Sequence, residues 1–135
     1  MKELNLLKQL QNISSTNEKV AFVKEHKENP LFIKLLKFIV DDKVVTNISR
    51  AKFNKNVGVD CGINNIDEFL YHLEYLSTGK DSDLMMIHGF IDEQEEEYQP
   101  ILSAIACKDF ALGLGTKLYN KAVDNKDTIL DFPYM

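Results

Sequence analysis

The chain predicts an all-α fold, a compact bundle of about six or seven short helices in a single domain spanning residues 1–135. Three observations carry that expectation. Only six Gly and three Pro interrupt the sequence, and Leu, Ile, Lys, Glu and Asn dominate it. Apolar residues recur at helical spacing in most segments. Helix-start signatures also recur: Ser15 with Glu18, Asn29 before Pro30, and Asn65 with Glu68.

The first helix is predicted over Leu4 to Ile13, whose apolar positions are 4, 6, 7, 10 and 13. Ser15 and Glu18 form a capping box, so a second helix runs from about Thr16 to Lys27 with Val20, Phe22 and Val23 in its apolar stripe. Asn29-Pro30 opens a third helix, Leu31 to about Val40, with Lys34 and Lys37 one turn apart on its wet side. Residues 42–63 are β-branched and Asn-rich without a sustained period, an irregular or briefly extended connector carrying basic residues. Asn65 and Glu68 start a helix through about Leu76, with Phe69, Leu70 and Leu73 inward. Asp81 or Ser82 is expected to cap the next one, DLMMIHGFI. The acidic run Asp92, Glu93, Glu95, Glu96, Glu97 suits the positive end of a helix ending near Cys107, which Pro100 should bend or reset. A last helix is predicted from about Leu114 or Gly115 to Val123.

Length and composition narrow the functional classes. A chain of 135 residues with 44% hydrophobic content can bury a core. No stretch approaches about 18 consecutive apolar residues, and MKELNLLKQLQN lacks the apolar core and cleavage site of a signal peptide. A cytoplasmic protein without membrane partners is expected, with Cys61 and Cys107 as reduced, buried or half-buried thiols. The net charge of −5 is unevenly distributed. Residues 31–56 carry six Lys/Arg against Asp41 and Asp42, whereas residues 57–107 carry eleven acids against Lys80 alone. Such segregation permits a basic face on an acidic chain.

Catalytic chemistry finds little support. His26, His72 and His88 have no metal-ligand spacing, and no metal is expected. The STGKDS segment lacks the upstream glycine and strand of a phosphate-binding loop. Met85 and Met86 read as core filler, and the 92–97 acids as a solvated helix start. No nucleophile–base pair stands at a telling spacing, so this chain alone is not expected to catalyse a reaction. The stretch KDFALGLGTKLYNK, residues 108–121, is different. Gly113 and Gly115 allow positive φ and remove side chains ahead of a helix start. Free N–H groups at about residues 115–117 would donate to a phosphate, with Thr116, Lys117, Asn120 and Lys121 near the same side. A plain glycine joint between packed helices is the alternative reading of these residues.

Taken with LLKQLQNISSTNEKVAFVKEHKENPLFIKLLKFI, this stretch resembles the start of ATP-dependent DNA ligases, closest to the bacteriophage T-even type. The resemblance lies in the helix start formed by Ser15, Thr16 and Lys19, and in a closing motif of Lys108, Asp109, Gly113, Gly115, Asn120 and Lys121. It is strong at both ends and weaker over residues 42–100. It departs at Ala111, where many relatives carry a basic residue. The resemblance implies a non-sequence-specific domain that grips nicked duplex DNA across the minor groove through backbone phosphates. The implied contacts are Gly113, Gly115, Thr116, Lys117, Asn120, Lys121, Thr16 and Lys19. It also implies a role in DNA replication, repair and recombination, in the host cytoplasm if phage-encoded. The K-x-D-G adenylation motif is absent from these residues, and ILDFPYM stands near the family's lead-in to its nucleotidyltransferase domain. The expectation is therefore a monomeric N-terminal domain truncated before that domain. ATP and magnesium belong to the missing part, and the ligase's own adenylation and OB domains are its partners. An alternative reading is a helical protein–protein interaction module that uses the acidic 57–107 segment.

Overall fold

Residues 1–130, which the computed structural model of the chain describes, contain eight α-helices and no strand, so the fold is all-α. In chain order they are α1 (Lys2–Gln11), α2 (Thr16–Glu25), α3 (Pro30–Val40), α4 (Arg50–Phe53), α5 (Ile66–Tyr71), α6 (Asp81–Asp92), α7 (Gln99–Ala106) and α8 (Thr116–Ala122). The end of the ILDFPYM segment, Asp131–Met135, lies outside the described residues. None of the described helices is long and apolar enough to cross a membrane.

Contacts divide the chain into two compact units. One joins Met1–Asp42 to the chain from Ala111 onward, and the other is Lys43–Phe110. Charge follows this division: the first unit has ten basic against nine acidic residues, the second six against twelve.

In the first unit, α1 packs on α2 and α3, and α2 packs on α8. The apolar spacing of α1 buries Leu4, Leu6, Leu7 and Leu10, each contributing about 1.5–3 kcal/mol before the entropic cost of ordering it. Ser15 caps α2 by accepting the Glu18 N–H at 3.4 Å. Asn29 caps α3 by accepting the Phe32 N–H at 3.2 Å, while its amide donates to Glu3 at 2.9 Å and so ties the helix start to α1. Pro30 occupies the first turn of α3, where the absent N–H costs nothing. This helix is apolar on most sides and buries Phe32, Ile33, Leu35, Leu36, Phe38 and Val40.

In the second unit, α6 packs on α7, and Phe69 stacks on Phe90 with centroids 4.9 Å apart. Asn65 caps α5 by accepting the Glu68 N–H at 2.9 Å; Glu68 in turn accepts from Asn64 N–H and from the Asn65 amide. After Tyr71 the helix widens into a π-turn, His72–Leu76, closed by Ser77 N–H to His72 O at 2.8 Å. The connector expected over 42–63 holds a single helical turn, α4, capped by Ser49 through the Lys52 N–H at 3.1 Å. Four residues are too few to leave a periodic trace in the sequence. Gly89 lets the 57–63 loop lie directly on α6, because a Cβ there would overlap the Asp60 carbonyl.

Cys107 is half-buried as expected, but Cys61, in the loop laid on α6, is exposed. Two helix boundaries also differ from expectation. Neither Asp81 nor Ser82 caps α6; both lie inside its first turn, and Lys80 holds the cap position without a side-chain bond. Asp83, also in the first turn, instead ties the preceding segment to the helix start by accepting from the Thr78 N–H at 2.9 Å and the Thr78 hydroxyl at 2.8 Å. The acidic run does not open a helix either. Asp92 ends α6, Glu93 to Glu97 form the joint, and Pro100 sits in the first turn of α7 instead of bending a longer helix. The proline outweighs the acids because it is tolerated in a first turn and clashes in an interior one.

Candidate nucleic-acid interface

The stretch 108–121 straddles the boundary between the units, and its two halves do different work. Lys108 and Asp109 terminate α7. Asp109 N–H bonds Ala104 O at 3.0 Å, and Lys108 N–H bonds Ile105 O at 3.2 Å. Lys108 takes the left-handed conformation at φ 55°. This is a Schellman stop with lysine where glycine is usual. The Asp109 carboxylate grips the Arg50 guanidinium through two bonds of 2.7 and 3.0 Å, and that hydrogen bonding raises the arginine's already high pKa. Asp109 therefore organises the second unit.

The glycine half belongs to the first unit and is held by two side chains. Gln11 donates to Ala111 O at 3.1 Å, and the Lys19 ammonium donates to Leu112 O. Lys19 is only 8% exposed, so it anchors the turn from within α2 and leaves little charge on the surface. Gly113 has φ +68°, and a Cβ there would stand 2.5 Å from Lys19 Nζ. Positive φ favours glycine at this position. Gly115 is a different case. It caps α8 at φ −87° and ψ 177°, extended backbone open to any residue, and a Cβ would meet nothing within 4 Å. No contact among the described residues requires glycine there.

Helix α8 turns Tyr119 and Ala122 inward and leaves Lys117 and Lys121, one turn apart, exposed. Its first-turn amides have no side-chain cap, but seven residues make a short dipole. Asn120 is engaged internally: its amide donates to Ile129 O at 2.9 Å and accepts from Ile129 N–H at 2.7 Å. The Tyr119 hydroxyl donates to Asp127 O at 2.9 Å, and burial pushes its pKa far above the ordinary phenol range, so it stays protonated. Thr16 is exposed at the first position of α2, one turn before Lys19.

Of the eight expected contact residues, Gly115, Lys117, Lys121, Thr16 and Gly113 lie at the surface and Thr16's neighbour Lys19 does not; Thr116 is half-buried and Asn120 is clamped. A second feature of the same unit, not anticipated as a site, is a groove of about 270 Å³ lined by Lys27, Lys34, Lys37 and Lys126 with Glu28, Asp124 and Asp127 among its walls. Lys27 pairs with Asp124 at 3.1 Å. Only Lys34 and Lys37 share a segment, so sequence spacing could flag that pair alone. The basic residues of the second unit are largely spoken for: Lys55 pairs with Asp81 at 3.1 Å and Lys52 donates to Asn47 O at 3.4 Å.

No protein-family model, curated protein or solved structure matches the chain.

Proposed function

We propose that this chain is a non-sequence-specific DNA-binding domain that contacts the phosphates of nicked duplex across the minor groove, as the N-terminal part of an ATP-dependent DNA ligase. The observation that carries the reading is the surface beside the glycine turn. Gly115 leaves open space that the fold does not use, and the exposed ammonium groups of Lys117 and Lys121 follow it on α8. Phosphate contacts of this kind position a protein without reading base sequence. The unit that carries the turn also holds ten of the sixteen basic residues, including the lysine-lined groove. On this reading ATP, magnesium and the adenylation chemistry lie outside the chain, in the adenylation and OB domains that follow it, and the protein works as a cytoplasmic monomer.

The test is duplex binding followed by fluorescence anisotropy across a salt series. With about four phosphates neutralised, the log–log slope is about −3.6, and binding weakens on the order of a hundredfold between about 50 and 200 mM salt. Lys117→Ala with Lys121→Ala removes two of those contacts and lowers the slope magnitude by about 1.8 on every duplex sequence. Unchanged low-salt affinity in that variant sinks the assignment. Gly115→Asp is the second arm. Asp is a preferred helix cap, so thermal stability holds or rises, while a carboxylate facing the phosphate weakens DNA binding.

A further inference from the structure

Among the described residues the acidic run of the second unit holds its joint through backbone bonds alone, such as Tyr98 N–H to Glu95 O at 2.9 Å. Asp92 occupies the last residue of α6, and Glu93, Glu95, Glu96 and Glu97 follow before α7 begins. A helix C-terminus is the negative end of the dipole, where carboxylates are disfavoured. Among the described residues none of these five side chains pairs with a cation or accepts a hydrogen bond. The run therefore concentrates negative charge at a place where the local backbone opposes it.

Against this run lies a groove of about 690 Å³, within the size range of ligand sites. Phe53, Ile91 and Pro100 give it apolar walls, and Asp92, Glu96 and Glu97 give it carboxylates. The Phe53 wall is held in place: His88 Nε2 lies 2.7 Å from Phe53 O, and the two rings are 4.2 Å apart at their centroids. Among the described residues no lysine or arginine lines the groove; the Arg50 guanidinium borders it, over the Phe53 ring and against Ser103, but its charge is paired with Asp109.

We propose that this groove docks a lysine- or arginine-bearing peptide segment of a partner protein. Basic side chains of the segment meet Asp92, Glu96 and Glu97, and one apolar side chain seats on Phe53, Ile91 and Pro100. Charge complementarity selects this occupant. A nucleic acid would set phosphates against unneutralised carboxylates. A metal ion fits no better, since no three acidic, histidine or cysteine groups of the described residues are arranged to hold one. The apolar walls in turn favour a peptide over a bare polyamine. This inference does not depend on the DNA reading, which concerns the other unit.

The experiment titrates the full chain with a fluorescein-labelled short peptide carrying lysines on both sides of a central leucine, at low salt. Control peptides replace the lysines by glutamates, or the leucine by glycine. Binding is expected for the first peptide, none for the glutamate version, and affinity about threefold weaker or worse without the leucine. Glu96→Lys with Glu97→Lys is expected to lower affinity by at least about tenfold, with thermal stability unchanged. Amide NMR shifts should centre on residues 91–103. Equal binding by the leucine and glycine peptides, matched by spermine at equal charge, overturns the proposal in favour of generic cation attraction. Unchanged affinity in the charge-reversed variant overturns it, as does duplex DNA shifting the same amides.

Discussion

Substituting Lys19 by methionine separates a structural lysine from a phosphate contact. The ammonium is 8% exposed, donates to Leu112 O and lies over Gly113, where even one added carbon would meet it at 2.5 Å. Met keeps most of the side chain's length and packing in α2 but removes the donor. Leu112 is itself buried, 3% exposed, so its carbonyl has no easy replacement from solvent. A hydrogen bond from a charged donor is worth about 1.5–3 kcal/mol, and an orphaned buried acceptor costs about 1–3 kcal/mol. These describe one loss seen from two sides and do not add, while methionine recovers part of the ammonium's desolvation cost. A net destabilisation of about 1–2 kcal/mol is expected, read as a lower urea midpoint with unchanged m-value and a melting temperature lower by roughly 3–8 °C. The same variant should keep the salt slope of DNA binding, because no surface phosphate contact is removed. Undiminished stability together with a slope reduced by about 0.9 would refute the reasoning and return Lys19 to the DNA-contact set.

Gly89→Ala inverts the ordinary helix rule. Propensity alone favours alanine in a helix by about 1 kcal/mol, yet the new methyl would overlap the Asp60 carbonyl and push away the loop whose Asp60 N–H bonds Met85 O at 2.9 Å. Chemical denaturation should show a loss of about 1–3 kcal/mol, and a gain would mean that the loop does not rest on α6. Asp83 makes acid stability legible. Burial opposes its ionisation, but hydrogen bonds from the Thr78 amide and hydroxyl and from His72, 2.8 Å away, outweigh it and hold the carboxyl below its ordinary range. A depressed folded pKa contributes stability above the unfolded value of about 3.9, and that contribution is lost as pH falls through the lower folded value. Urea unfolding across this window should show wild type losing more stability than Asp83→Asn, the two curves converging at low pH; parallel curves would contradict the assignment.

The starts of α2, α3 and α5 were legible because their chemistry is local. Ser15, Asn29 and Asn65 each accept the N–H three residues ahead, so residue type and short spacing suffice to find them. The acidic run shows where local reading fails. Its charges suit a helix N-terminus, but the same residues sit at a helix C-terminus once Pro100 marks the true start of α7. The all-α class and the order of the long helices were thus within reach of the sequence alone.

What each turn residue does was decided by partners far along the chain. Lys19 meets a carbonyl 93 residues away, and Arg50 meets a carboxylate 59 residues away. No spacing rule encodes such pairs, since only packing of the helices brings them within hydrogen-bond reach. Gly113 and Gly115 look alike in the sequence. Tertiary structure separates them: Gly113 lies under Lys19 at positive φ, whereas Gly115 faces open space in a backbone conformation any residue adopts. The difference lies in what stands next to each Cα, and the sequence does not record that.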